Sequence, residues 1–453
     1  MKVREAIHPA YVGARQHIAA APWALGRALG QVRGHWGARW RVRSPEEHNE
    51  RIMYLEAVFQ SVSSAGAMSF ITVFLVRLGA AAWLVGLHEA IGPLMAMVAV
   101  LPMGALAQRQ RNMAVALNWS RGAFRTVIGS FALLPLLPAH IAPYALVAGH
   151  GVASVPGSMI DVASMTLSGQ ITTPERRPRM LSVRWGILGL FAAVLGFGVG
   201  HWLDWAPYPL NYQVLFISAF VAGLGSIWVI SKLILEDAPP PLVGSRRTAL
   251  RNMVPLLKEA AAFRRFAAAA FVFRLGLWMP MALFSIYRVR VLGASDAWLG
   301  TLLTVERVLS VLVYILLSRL LVRRNVHRWL WLSAVGMALF PIATALSTNT
   351  TMLLIPAVIG GLVSPALNIC LTDTLFRVSP EDQRPVFVAM NSFLASLTGF
   401  LGPLLGTALA EATSISFALM AGGGLRVVGG LTFWLLGIGA EESSADTETG
   451  TEG

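Results

Sequence analysis

The sequence holds a single cysteine, Cys370, among 453 residues, which excludes a disulfide framework and any metal site built on clustered thiolates. Charge is scarce as well. Asp, Glu, Lys and Arg together make up only 13%, against about a quarter in a soluble domain. That is too few to clothe a water-facing body, so the two or three soluble domains that length alone would permit are excluded. No GxxxxGK[ST], HExxH or GxSxG run occurs, so direct use of ATP, a zinc-protease site and a nucleophile elbow are not expected. Residues 1–30 lack a sustained apolar core and a clean cleavage pattern, so no secretory signal is expected.

What the chain does have is apolar length. Hydrophobic residues reach 55% and mean hydropathy is +0.62, a composition for which a bilayer is the good solvent. Runs long enough to cross a hydrocarbon core of about 30 Å are predicted at 53–76, 81–107, 119–138, 143–170, 181–203, 210–234, 266–288, 297–322, 328–347, 351–378, 386–410 and 415–439. The third carries Arg121 and Arg125 near its start and is the least regular of the twelve.

The net charge of +13 would suit a nucleic-acid partner, but its placement argues against one. Lys2 and the arginines of residues 4–51 precede the first span. Further clusters stand at Arg109 and Arg111, at Arg176, Arg177 and Arg179, at 246–265, at 319–328, and at Arg377 and Arg384. The alternate loops 138–143, 204–211, 347–351 and 412–415 contain no Lys or Arg. This asymmetry predicts a multi-pass protein of the cell membrane with both termini in the cytoplasm. Arg77, Arg288 and Arg290 are the exceptions on the outward side.

The two halves repeat one another in parallel. Val76-Arg77-Leu-Gly79 followed by Trp83-Leu-Val-Gly86 returns about 214 residues later as Val289-Arg290-Val-Leu-Gly293 followed by Trp298-Leu-Gly300. Leu106–Asn112 returns as Leu320–Asn325, and Thr173-Pro174-Glu175 with Arg177-Pro178 returns as Ser379-Pro380-Glu381 with Arg384-Pro385. Ser or Thr, then Pro, then an early carboxylate starts a helix. The expected class is therefore an all-α integral membrane protein of about twelve transmembrane helices in two parallel-repeated six-helix bundles. The expected divisions are a basic arm at 1–52, bundles at 53–235 and 266–439, a cytoplasmic connector at 236–265 and an acidic tail at 440–453.

On this layout, on Gly104-Ala-Leu-Ala-Gln108-Arg109-Gln-Arg111 after span 2, and on Pro380-Glu381 through Arg384 with Gly399, Gly402-Pro403 and Gly406 in span 11, the chain resembles the major facilitator superfamily over roughly residues 50–440. Gln108 stands where the family's loop motif has Asp, and Arg111 where it has Gly, so the motif's ion pair is not carried over. Span 5 has Gly196, Gly198 and Gly200 without the proline of the family's antiporter signature. The resemblance implies a central cavity lined by spans 1, 4, 7 and 10. It also implies gating-loop roles for Gly104, Arg109, Arg111, Asp373 and Arg377.

Polar groups inside a span are costly and are functional candidates. Span 1 offers Glu56, Gln60, Ser63 and Ser64 on one face, and span 4 offers Ser154, Ser158, Asp161 and Ser168. Span 7 offers Arg274, Trp278 and Ser285, and span 10 offers Ser364, Asn368 and Thr372. An offset of 214 carries Gln60 onto Arg274, and one of 207 carries Asp161 onto Asn368. One acid and one base thus stand where the opposite half has neutral amides. Such a pair suits a site that exchanges a proton as its access changes; a static salt bridge between the halves is the plainer alternative. Glu89, interhelical glue or coupling residue, and the neighbours Glu306 and Arg307, which cannot share a helix face, are further candidates. Asp373 and Arg377, four apart, suit a local ion pair, and His88, a lone imidazole near a span end, reads as structural. Gly196 with Gly200, and Gly402 with Gly406, suit close helix packing.

In the arm, Leu25, Leu29, Val32, Trp36 and Trp40 form a stripe ringed by arginines. It suits either a helix on an anionic lipid surface or a loosely ordered basic segment, given its glycines. Ser44-Pro45-Glu46-Glu47 predicts a capped helix start. The functional expectation is a secondary transporter of a small solute, proton-coupled and without cofactor or metal, whose partners are solute, protons and lipid rather than nucleic acid. The alternative is a transporter-like scaffold or assembly factor.

Overall fold

The computed structural model of the protein describes residues 44–108, 113–173, 176–235, 260–320, 326–380 and 383–438. The arm stripe, residues 236–259 of the connector, Arg109, Arg111 and the acidic tail lie outside the described residues. No strand occurs among the described residues. The capped start is formed, with Ser44 Oγ accepting the Glu47 N–H at 3.3 Å.

All twelve spans are helical. Span 1 runs Pro45–Ser61, Val62–Met68 as a π-helical stretch and Ser69–Arg77; span 2 is Ala82–Gln108; span 3 is Met113–Ser130 continued by the 3-10 turns Phe131–Leu136. Spans 4, 5 and 6 are Ala142–Gln170, Arg177–Trp205 and Leu210–Ile230. Span 7 is Ala261–Trp278 followed by Met281–Ile286 and Tyr287–Val291; span 8 is Asp296–Leu320; span 9 is Val326–Gly336 followed by Leu339–Leu346. Spans 10, 11 and 12 are Leu354–Val378, Arg384–Ala412 and Ile415–Leu435. By length and composition 10 of the helices qualify to cross a membrane, and spans 3 and 4 are not among them. The reason is chemical. Span 3 carries two arginines, which are paired inside the bundle, and span 4 an aspartate with a serine stripe.

The two arginines of span 3 tie spans 1, 3, 5 and 6 together. Glu56 is fully buried and takes Arg121 at 2.7 Å and Arg184 at 3.1 Å, while Arg121 also donates to Ser226 Oγ at 2.8 Å. One turn further on, Arg125 donates to Gln60 Oε1 at 2.7 Å. Buried charge of this kind is tolerated in a bilayer only when it is paired and hydrogen-bonded inside the protein.

The second half solves the same junction, spans 7, 9 and 12, without an acid. Spans 7 and 9 both break, and each break has a proline: Pro280 and Pro341 lack the N–H that would have bonded the carbonyls of Gly276 and Met337 four residues earlier. Arg426 of span 12, buried to 1% exposure, fills both vacancies. Its Nε donates to Gly276 O at 3.0 Å, Nη1 to Met337 O at 2.8 Å and Nη2 to Leu277 O at 3.1 Å. Gly276 makes room for this, since a Cβ there would stand 2.8 Å from the Arg426 backbone nitrogen.

The buried apolar residues are distributed unevenly along the molecule. At the end bearing residues 77–82, 205–211, 291–296 and 412–415, here the distal end, one cluster runs through both halves. It includes Phe70, Phe74, Leu84, Tyr212 and Phe216 with Leu283, Phe284, Leu299, Phe340 and Leu419. At the opposite, basic end the core is divided. Met53, Met113, Leu117, Met159, Met180 and Ile230 form one cluster in the first half, and Phe263, Phe266, Phe273, Leu330, Phe387 and Phe433 form another in the second. Between the halves, spans 5 and 8 cross where Gly200 meets Gly300 and Asp296; a Cβ on Gly200 would lie 2.5 Å from the Asp296 carbonyl. Spans 2 and 11 cross at Gly86, where a Cβ would lie 2.5 Å from Thr407 Oγ1. Close packing is thus what Gly196 and Gly200 supply in span 5, and what Gly402 and Gly406 supply in span 11 against Trp278 and Met279.

Candidate functional site

The polar stripe of span 4 is continuous. His150, Ser154, Gly157, Asp161, Ser164 and Ser168 follow one another at three- and four-residue steps, with the exposed Val152 on the opposite face. Ser154 and Ser168 donate to the carbonyls of His150 and Ser164, at 2.8 and 2.7 Å, and buried Ser158 donates to Val155 O. Their lone pairs stay available. Asp161 is exposed and makes no hydrogen bond or ion pair among the described residues.

On span 10, Asn368 and Thr372 are exposed; Asn368 Nδ2 reaches Tyr314 Oη at 3.4 Å, and Thr372 Oγ1 donates to Asn368 O. On span 7, half-buried Arg274 donates from Nη1 to Asn391 Oδ1 of span 11 at 2.7 Å. No bond or ion pair joins Arg274 to Asp161. The repeat pair Gln60 and Arg274 shows a related arrangement in each half. Gln60 is an amide that accepts from an arginine, and Arg274 is an arginine that donates to an amide. Ser64, in the π-helical stretch of span 1, donates to Gln60 O at 2.6 Å. Glu56 stands apart from these, in the buried ion-pair network.

Glu89 is half-buried and its Oε1 accepts from Thr72 Oγ1 at 2.6 Å, joining spans 2 and 1. The neighbouring His88 is not alone. Its ring faces that of His150, with centroids 4.4 Å apart, and the Nδ1 atoms of both rings are buried without a hydrogen-bond partner. Two imidazoles and a carboxyl therefore gather where the stripe of span 4 meets span 2. Nothing in the sequence linked His150 to His88; the only available signal was its place on the stripe of Asp161.

Glu306 and Arg307 separate as their spacing requires. Glu306 is half-buried against Gly360 and Gly361 of span 10, and Arg307 is exposed. Half-buried Arg288 lies over the rings of Phe284 and Phe340, 5.5 and 5.8 Å from their centroids. At the basic end Arg377 Nε pairs with Asp373 at 2.8 Å, one helical turn apart and exposed. Gly104 lies in the last turns of span 2. Among the described residues no group of three His, Cys, Asp or Glu side chains is placed to hold a metal.

Two repeated six-helix bundles, with exposed polar side chains on spans 4 and 10, are the architecture of a multi-pass integral membrane transporter. The chain belongs to the Major Facilitator Superfamily, whose sequence profile matches residues 53–375 and 266–453. Among solved structures it is similar to a D-xylose-proton symporter, at 13% identity and TM-score 0.65 over 86% of this chain and 96% of that one. It is also similar to a POT family transporter in complex with a thioalcohol-conjugated peptide, at 11% identity and TM-score 0.67 over 85% and 95%. A bacterial homolog of the human lysosomal transporter Spinster, in an inward-facing and unoccupied conformation, aligns at 12% identity and TM-score 0.65 over 87% and 97%. At these identities the likeness is one of fold. No curated protein matches the sequence.

Proposed function

We propose that the protein is a secondary active transporter of a small, weakly charged or zwitterionic solute, working by alternating access and coupled to protons. The observation that carries this reading is the divided core. One apolar cluster bridges the halves at the distal end, while the basic end has a separate cluster in each half. Halves that are rigid in themselves and joined at one end are the parts that rock about a central site. Asp161, Asn368 and Thr372 offer that site an exposed acid, an amide and a hydroxyl, and Arg274 offers a cation whose hydrogen bonds among the described residues go to Asn391. Ser158 and Gln60 complete the proposed set. Asp161 carries the coupling proton in this scheme, with Glu89 beside the two histidines, and Glu306, as the other acids placed to do so. The basic end faces the cytoplasm.

The test is solute-driven proton movement in vesicles holding the purified protein and a pH-sensitive dye, across a panel of dipeptides, pentoses, nucleosides and organic anions. At least one solute should move protons with the wild-type protein, and Asp161→Asn should abolish accumulation while exchange persists. Silence across the panel sinks the transport reading; accumulation surviving in Asp161→Asn moves the coupling role to Glu89 or Glu306.

A further inference from the structure

The distal end is joined by hydrogen bonds as well as apolar packing, and these bonds obey the internal repeat. Gly79 and Gly293 adopt the left-handed region, with φ of +82° and +64°, and end their helices there. Arg77 stands just before the first and Arg290 just before the second. Each reaches across to the carbonyl after the other's glycine: Arg77 Nη2 donates to Ala294 O at 3.1 Å, and Arg290 Nη2 to Ala80 O at 2.5 Å and Val76 O at 3.1 Å.

A second reciprocal pair lies beside the first. Asp204 ends span 5 and accepts the backbone N–H groups of Asp296 and Ala297, both at 2.9 Å, at the start of span 8. Glu411 ends span 11 and accepts the N–H of Trp83, at 3.2 Å, at the start of span 2. The offset of 207 that relates the later spans carries Asp204 onto Glu411, and the offset of 214 carries Trp83 onto Ala297. A carboxylate on the free N–H groups of a helix start is a favourable contact in either half. The symmetry breaks at one residue. Asp296 adds an ion pair to Arg77 at 2.8 Å and accepts from Tyr212 Oη at 3.1 Å, whereas among the described residues Arg290 is held by carbonyls alone.

We propose that Arg77, Arg290, Asp204 and Glu411 form a two-fold latch that holds the distal end shut, and that its release permits the opposite state of the transport cycle. The four act as positioning residues and need touch no solute. Their partners are backbone groups and, for Arg77, also the Asp296 carboxylate, all at helix ends of the other half, so the contacts depend on how the halves are docked. The latch also accounts for Arg77 and Arg290 as exceptions to the arginine asymmetry: their charge is spent on the other half. This proposal rests on the alternating-access reading above.

Spin labels supply the test, in a Cys370→Ala background and in lipid nanodiscs. One pair, Tyr208→Cys with Thr348→Cys, reports the distal end. The other, Thr173→Cys with Arg328→Cys, reports the basic end. Arg77→Ala and Arg290→Ala should each lower the distal closed-to-open ratio about tenfold, the scale of lost charge-assisted hydrogen bonds. The basic-end pair should shorten as the distal pair lengthens. Glu411→Ala should act in the same direction, while Glu411→Gln, whose amide oxygen still accepts from Trp83, should match the wild type. Unchanged distances in both arginine variants, lengthening at both ends together, or opening by Glu411→Gln would each overturn the latch. A latch that behaves as stated while no solute moves in vesicles would sink the transport reading alone; solute transport with unchanged distances in the arginine variants would sink the latch alone.

Discussion

Asp161 and Glu56 are both acids within spans, yet their surroundings give them opposite consequences. Glu56 has no exposure and holds Arg121 and Arg184, so Glu56→Gln leaves two buried cations short of a charge partner. The expected loss is about 3–5 kcal/mol of stability, read as a lowered unfolding midpoint in nanodiscs. Asp161 holds nothing, and Asp161→Asn should stay within about 0.5 kcal/mol of the wild type. A double-mutant cycle of Asp161→Asn with Arg274→Gln should show no stability coupling, because no contact joins the two; coupling well above about 0.5 kcal/mol would place them in one ion pair. The sequence revealed which spans hold polar residues, because burial of charge in a bilayer is rare enough to notice. It did not reveal partners. Arg121 looked like an irregularity of span 3 because its acid, Glu56, lies 65 residues away, and helix periodicity says nothing across that distance. His88 read as solitary for the same reason.

At the scale of elements, spans and their order were legible because apolar length and the arginine pattern are local properties of the chain. The breaks in spans 7 and 9 were less so. Each contains a proline, but a proline alone does not say whether a helix kinks gently or stops. The outcome depends on a donor from elsewhere, and here that donor is Arg426, 146 residues from Pro280 and 85 from Pro341 in sequence. The arrangement makes a specific prediction. Arg426→Met leaves Gly276 O, Leu277 O and Met337 O without their donor and should destabilise the second half by about 3 kcal/mol or more, since hydrogen bonds to charged groups contribute roughly 1.5–3 kcal/mol each. Arg426→Lys should recover only part of this, because an ammonium lacks the planar fork that spans two helices. Pro280→Ala with Pro341→Ala restores the missing backbone donors, so adding both to Arg426→Met should recover stability. Thermal unfolding of the three variants reads this directly. A triple variant no more stable than Arg426→Met would show that the arginine serves something other than the orphaned carbonyls.

For the whole molecule, the repeat did more than predict a duplicated fold. It paired Arg77 with Arg290 before any contact was known, and the structure places both on one interface because two parallel repeats facing each other bring equivalent helix ends together. The way the halves dock was not legible, since it depends on contacts between residues hundreds of positions apart and not on local sequence. Orientation in the bilayer rests on charge outside the packed core. Arg176, Arg264 and Arg377 stand at the basic end, whereas the distal loops 138–143, 204–211, 347–351 and 412–415 have neither Lys nor Arg. Reporters at either terminus or within 240–260 should therefore lie in the cytoplasm, and those within 206–210 or 347–350 outside. The three outward exceptions supply a sharper form of this test. Arg77 and Arg290 bond to the opposite half, and half-buried Arg288 packs over two phenylalanine rings, so none of them acts as a free loop charge. Alanine at all three should leave every reporter where it was, even if the latch opens. Inserting three arginines into 206–210 should instead disturb insertion of spans 5 and 6, because free positive charge on the outward side opposes translocation. A terminus found outside, or a topology altered by removing the three exceptions, would overturn the orientation.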